Sequence, residues 1–407
     1  MTILCAHKEN FVFSVSLWWE NLKEFMPKQT SLGTVIQKNR VWYCLDCGKC
    51  SAVCPITLRE TRRYTSPRLL VETAMQRQSI DLLDDPLFWS CLTCQRCSQL
   101  CPSNVHFSEF LRDARTLGRR EGRTGACTHS DMIHTWARMM ADPAMVQNRL
   151  DWLGDDLRVS DDSDTVYFVG CLPYYDVAFE KSGFEGISIA QAAVEILNHL
   201  GIEPIVLADE RCCGHDQLWQ GERDTFQRLA ELNLKMLQDT GARRVVTTCP
   251  ECARTLRIDY PQFVGDHGLE VLHLTELIAE EGLQIEAQKR ETVTYQDPCR
   301  LGRHLGVYEA PRQAIEAAGF QLEEMPHNRA ASLCCGTSCW TECGQVSKKI
   351  QVDRLEEAKA TGAQTLATAC LKCQIHFLCA QDDPVLGESI DIEIRDVTTL
   401  IAEKIRS

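Results

Sequence analysis

Apolar positions along the chain change rhythm near residue 165. Upstream they recur at three- and four-residue steps. Leu69, Leu70, Ala74 and Met75 mark one face of a helix over 68–78, and Phe107, Phe110, Leu111, Ala114 and Leu117 mark a second over 108–118. Ser66-Pro67 starts the first, a serine cap followed by proline at the first helical position. Downstream, short apolar runs alternate with amphipathic stretches. Residues 165–169, 204–207 and 245–248 read as strands, while 189–200 and 222–238 read as helices closed by Gly201 and Gly241. That alternation predicts a parallel α/β layer. An acidic, apolar-poor stretch, 148–164, lies between the zones and reads as a linker. Near the start, the apolar run 11–19 is flanked by Glu9 and Glu20. It is too short to span a bilayer and no small-residue cleavage site follows, so it predicts an amphipathic helix packed on the protein or on a partner.

The downstream zone repeats itself. Thr240-Gly241-Ala242 ahead of Cys249 and Cys252 returns as Thr361-Gly362-Ala363 ahead of Cys370 and Cys373, at one common offset. Cys212-Cys213-Gly214 returns as Cys334-Cys335-Gly336, and Cys171 as Cys299. The predicted architecture is therefore α/β: an N-terminal helical segment (1–35), a helical, cysteine-bearing domain (36–147), the linker (148–164), and two pseudo-repeated α/β domains (165–290 and 291–407).

The chain has 407 residues and 23 cysteines. Its length, the odd count and the lack of a visible secretory signal argue against a disulfide framework and predict reduced thiols serving as metal ligands in a cytoplasm. Eight form two identical runs, Cys44-x2-Cys47-x2-Cys50-x3-Cys54-Pro55 and Cys91-x2-Cys94-x2-Cys97-x3-Cys101-Pro102. This is the spacing of bacterial two-cluster ferredoxins, whose fourth cysteine serves the other cluster, and it makes 36–147 a two-cluster ferredoxin-like domain. One cubane [4Fe-4S] cluster is expected on Cys44, Cys47, Cys50 and Cys101, and a second on Cys91, Cys94, Cys97 and Cys54. Zinc, which is usually held by two CxxC pairs, would not need two complete four-cysteine runs.

The repeated zone carries two five-cysteine sets: Cys171, Cys212, Cys213, Cys249, Cys252 and Cys299, Cys334, Cys335, Cys370, Cys373. Adjacent cysteines in a strand point opposite ways, so each pair suits a turn, for which Gly214 and Gly336 give backbone freedom. Several of these cysteines fall at predicted strand C-termini, where open α/β sheets place ligands. The formal charge of −14 disfavours nucleic acid and anionic membrane surfaces as partners.

With both kinds of cysteine motif in one chain, the sequence resembles the heterodisulfide reductase family in its fused iron–sulfur form. Cys212-Cys213-Gly214-His215-Asp216, the run from Asp297 through Pro298, Cys299 and Arg300 to His304, and Tyr308-Glu309-Ala310-Pro311-Arg312 are similar to that family's motif surroundings. The resemblance implies that each set is a CCG domain holding a noncubane [4Fe-4S] cluster. The two clusters would face one another across a cavity where a disulfide is split, making the ten set cysteines catalytic. It also implies a flavoprotein subunit and other oxidoreductase subunits as partners, a disulfide or thiol small molecule as substrate, and a membrane link only through a partner. His215 and His304 are candidate donors to cluster sulfur or to the leaving thiolate, with polar packing as the alternative; His376 reads as packing. Arg300 and Arg303 are candidates for an anionic substrate tail or for pairing with surface acids.

Residues 336–343, Gly-Thr-Ser-Cys-Trp-Thr-Glu-Cys, depart from the glycine-rich family pattern. Trp340 is expected to narrow the cavity, and Cys339 and Cys343, four apart, to share a helix face lining the core. Cys5, Cys127 and Cys379 read as structural. A second functional reading is a non-catalytic electron-transfer subunit of a bifurcating or quinone-linked complex. A metal-storage scaffold fits the ordered four-cluster layout poorly.

Overall fold

The computed structural model describes residues 31–60, 65–77, 80–84, 86–285, 291–385, 387 and 390–407. The apolar run 11–19 and Cys5 lie outside the described residues. Helix Leu32–Lys38 opens the described chain, its Ser31 cap accepting from the Thr34 amide. Its buried Val35 and Ile36 join a core with Phe110, Leu111 and Ala114 of helix Phe107–Arg120. The predicted start at Ser66-Pro67 is realised, with Ser66 Oγ accepting from the Leu69 amide at 3.1 Å ahead of helix Pro67–Arg77. Arg115 lies on the buried side of Phe107–Arg120 and donates to the carbonyls of Phe88, Trp89, Cys91 and Trp219, tying the cysteine-run region to the first α/β half.

The repeated zone forms two parallel sheets. The first contains β1 (Thr165–Tyr167), β2 (Arg244–Thr247) and β3 (Glu270–His273) in that order. The second contains β4 (Thr292–Gln296), β5 (Gln321–Leu322), β6 (Thr365–Thr368) and β7 (Glu393–Asp396) in the order β5-β4-β6-β7. β1 and β6 are buried along their whole length, as expected of parallel strands covered on both faces. The strand expected over 204–207 shrinks to one parallel bridge, Val166 to Ile205, because Pro204 has no N–H to extend the ladder. That bridge sits where β5 sits in the second sheet, so the halves share one topology.

Equivalent helices follow the last strand of each half. His273 caps Leu274–Glu281 and Asp396 caps Val397–Arg406, each accepting a backbone N–H two residues on. The expected linker is irregular in structure but lies on the first half. Trp152 joins that half's core, the Arg149 guanidinium reaches Glu210 and the Gly170 carbonyl, and Asp164 pairs with Arg243.

One local expectation is corrected. Residues 338–341 form a tight hairpin in which Ser338 pairs antiparallel with Thr341. Cys339 (φ 54°) and Trp340 (φ 52°) are both left-handed, the conformation a two-residue type I′ connection requires. Cys339 and Cys343 therefore share no helix face. Among the described residues no helix is long and apolar enough to cross a membrane.

Candidate metal centres

The two cysteine runs build matching loops. In the first, Asp46 and Gly48 are left-handed; in the second, Thr93 and Gln95 occupy the same two places with the same sign of φ. These twists turn successive cysteine side chains inward. Cys50 and Cys97 then sit on short helices, Lys49–Val53 and Arg96–Gln99. Cys54, the fourth residue of the first run, does not stay with its own three. It lines a pocket together with Cys91, Cys94 and Cys97, walled by Ile56, Leu70 and Phe107. This is the grouping expected for the second cubane. Burial pushes the Cys91 thiol up to about 12 and Cys97 well above the ordinary range. Cys94 goes the other way, to about 5, first because its sulfur contacts Cys334 and further because of the Arg303 charge.

Each five-cysteine set forms a continuous circuit of sulfur contacts. In the first, Cys171 meets Cys212, Cys212 meets Cys213, Cys213 meets Cys252, and Cys252 meets Cys249. In the second the order is Cys299, Cys334, Cys335, Cys373, Cys370. The outer CxxC cysteines cap helices, with Cys249 Sγ accepting from the Cys252 amide at 3.5 Å and Cys370 Sγ from the Cys373 amide at 3.4 Å. Gly214 and Gly336 are left-handed, at φ 82° and 84°. A Cβ at Gly336 would lie 2.6 Å from the Ser347 carbonyl oxygen, so no larger residue fits there. Contact with neighbouring thiols drives Cys171, Cys252, Cys334 and Cys373 well up, while the middle cysteines Cys213 and Cys335 are pulled down. Crowded buried sulfurs of this kind suit a polynuclear cation that neutralises several thiolates at once. A small pocket borders the first set at Cys171 and Cys212, lined by Trp136, Met140, Tyr174 and Tyr175.

The region between the sets is filled by side chains. Lys372 Nζ lies 2.5 Å from Asp216 and 2.6 Å from Glu251, all three buried. Lys372 and Asp216 hold each other charged: Asp216 is pulled well below the usual carboxylate range and Lys372 pushed well above that of an ordinary ammonium. Cys339 sits beside His215 and Asp216. Trp340 stacks on Phe179 with ring centroids 5.2 Å apart and donates its indole N–H to Tyr175 Oη at 2.9 Å. Trp340 and an unforeseen ion cluster thus occupy the region between the halves, where a cavity was expected.

His215 and His304 are packed against polar neighbours, the alternative reading for both. His215 Nε2 accepts from Arg300 at 2.9 Å, and Nδ1 lies 3.1 Å from Asp216. Burial, then the Arg300 charge, lowers it to about 3, so it stays neutral and is a poor proton donor at neutral pH. His304 lies against Arg300, Arg254 and the Thr93 carbonyl, and burial with the two arginines holds it well below its usual range. Among the described residues neither arginine pairs with a surface acid: Arg300 grips Thr93, and Arg303 grips the carbonyls of Cys94, Ala330 and Ser332. His376, read as packing, places Nδ1 3.7 Å from Cys335 Sγ. It lies one turn beyond Cys373 on helix Leu371–Gln381, a spacing that could have flagged it. Of the single cysteines, Cys127 bridges to Thr341 through its backbone and Cys379 Sγ accepts from Lys348 Nζ at 2.9 Å.

Known proteins bear on these motifs. The family model for the CCG cysteine-rich domain matches residues 165–257 and 293–378, and that for the Fer4_8 4Fe-4S dicluster domain matches 40–105. One subunit of the dihydromethanophenazine:CoB--CoM heterodisulfide reductase of Methanosarcina acetivorans is 32% identical over 269 residues, 63% of this chain and 63% of that one. The match therefore spans under two thirds of the relative's length. The EtfAB:quinone oxidoreductase of Syntrophomonas wolfei is 30% identical over 220 residues, 51% of this chain and 30% of its own. Among solved structures, a hypothetical protein from Helicobacter pylori superposes at a TM-score of 0.53 with 10% identity, covering 97% of this chain and 76% of that one; this likeness concerns the fold alone.

Proposed function

We propose, from the premise that this chain is an iron–sulfur oxidoreductase subunit related to heterodisulfide reductase and built from a 4Fe-4S dicluster domain and two CCG domains, that it delivers electrons to a disulfide bound between its two five-cysteine sets. Cys44, Cys47, Cys50 and Cys101 would hold one cubane cluster, and Cys91, Cys94, Cys97 and Cys54 the other. Each five-cysteine set would hold one noncubane [4Fe-4S] cluster. Bound clusters supply one-electron steps, and two electrons with two protons turn one disulfide into two thiols.

The observation that carries this reading is the packing of Cys94 in one buried cluster with Cys334, Cys335, Cys370 and Cys373, which sets a cysteine run against a five-cysteine set. Ile56, Leu70 and Phe107 wall the second run with apolar surface. Arg300 and Arg303 fix that run's loop against the second half through Thr93 and Cys94. The other end of the wire is open: Cys47 is exposed, and Trp42, Tyr43 and Leu45 around it are exposed too. Such an apolar rim suits docking of a flavoprotein subunit or another redox subunit.

A second reading, a non-catalytic electron-transfer subunit, is favoured by the 338–341 hairpin, which seals Trp340 between the halves. Iron counting with EPR on anaerobic protein decides between them. About sixteen irons and a paramagnetic signal induced by added thiols support disulfide chemistry, whereas about eight irons with only reduced-cubane signals leave a wire.

A further inference from the structure

Arg303 stands where the second cysteine run meets the second five-cysteine set. It is 6% exposed. Nε donates to the Cys94 carbonyl at 2.6 Å, and Nη1 donates to the carbonyls of Ser332 at 2.8 Å and Ala330 at 3.2 Å. Nη2 is buried and has no hydrogen-bond partner. A guanidinium does not lose its charge in a protein, and a buried donor left unpaired is costly. The sulfurs in the field of this charge are those of Cys94, Cys299 and Cys334, which belong to both neighbouring ligand groups.

The first set is surrounded differently. Its nearby buried cations have carboxylates: Arg149 pairs with Glu210 and Arg254 with Asp259, while Lys372, inside the second set's CxxC, reaches across to Asp216 and Glu251 of the first half. Among the described residues Arg303 bonds only to backbone carbonyls. A positive charge beside a cluster favours its reduced, more negative form, and so does an N–H donated to its sulfur.

We propose that Arg303 Nη2 donates to the sulfur of a cluster bound at the second set and holds that set at a more positive potential than the first, so that an incoming electron settles there before reaching its twin. The step balances simply: the centre on Cys54, Cys91, Cys94 and Cys97 gives up one electron, the second set gains it, and no proton is required. This inference rests on the four-cluster reading above.

The test is an EPR-monitored redox titration of the anaerobic holoprotein as wild type, Arg303→Met and Arg303→Lys, with Cys213→Ser identifying which signal belongs to the first set. In Arg303→Met the second set's midpoint is expected to move to a more negative potential while the first set's stays in place. Arg303→Lys, which keeps the charge but not the three carbonyl bonds, should restore most of the shift. Unmoved midpoints in Arg303→Met at full iron content overturn the inference and leave the four-cluster reading standing. If Arg303→Met loses iron, pulsed EPR on wild-type holoprotein labelled with nitrogen-15 arginine takes its place. A guanidinium nitrogen coupling on the second set's signal, altered in Arg303→Lys, supports the inference, and its absence overturns it. Wild-type protein with about eight irons overturns the underlying reading itself.

Discussion

The two α/β halves hold the same circuit of five sulfurs in different surroundings. Around the first set, buried cations meet carboxylates and an aromatic space opens beside Cys171 and Cys212. Around the second, Arg300 and Arg303 meet carbonyls, Thr93 and histidines, and Cys334 touches Cys94 of the second cysteine run. The ligand geometry is repeated while its environment is not. The second half meets the second cysteine run through Cys94, whereas the first half is tied to that run's region through Arg115, which joins the carbonyls of Cys91 and Trp219.

The largest expected disturbance of this arrangement is Lys372→Ala. It leaves Asp216 and Glu251 buried without their counter-charge and should destabilise the chain by about 3–5 kcal/mol in urea unfolding. An effect below about 1 kcal/mol would mean that the halves do not depend on this cluster. Next comes Trp340→Ala, which removes a fully buried indole and should cost about 3 kcal/mol. It should also raise turnover with bulky disulfides if the hairpin is what restricts the site; unchanged substrate preference would remove Trp340 from that role.

The helix caps sharpen the comparison through pH. Burial lowers His273 to about 4 and raises Asp396 to about 6. Unfolded histidine takes its proton near 6.5, so the first half should lose stability as pH falls from 6.5 toward 4. Unfolded aspartate ionises near 3.8, so the second half should lose stability as pH rises from there through about 6. Each contribution is at most about 3 kcal/mol. His273→Asn should flatten the first dependence and Asp396→Asn the second, read as urea midpoints across that range. The smallest effect is expected from Arg406→Ala. It breaks the exposed pair with Glu195 across the halves and should change stability by less than about 1 kcal/mol, because the helices carrying the pair are held by apolar packing.

Much of this was legible in the sequence because it is local. Spacing of two and three residues dictates how a loop wraps, so the crossing of Cys54 into the second group could be anticipated from Cys44–Cys101 alone. The alternation of strand and helix, and the repeat of Cys212-Cys213-Gly214 as Cys334-Cys335-Gly336, likewise predicted two parallel sheets of one topology. Contacts between distant segments were not legible. Nothing near Arg303 announces that it will meet Cys94, and the four-residue spacing of Cys339 and Cys343 suggested a helix where left-handed residues make a hairpin. Glu251 and Lys372 occupy the same place in the repeated CxxC motif, yet only the folded chain brings them together.

That meeting has a consequence for how such a protein could have arisen. Residues at equivalent positions touch only near the pseudo-symmetry axis relating the halves, and here they carry opposite charges. Two copies of the first half, paired the same way, would bring two Glu251 carboxylates face to face; two copies of the second would oppose two Lys372 ammonium groups. Either homodimer would bury like charges, whereas the tandem joins unlike ones. The charges at this one pair of equivalent positions thus favour pairing unlike halves over pairing like ones.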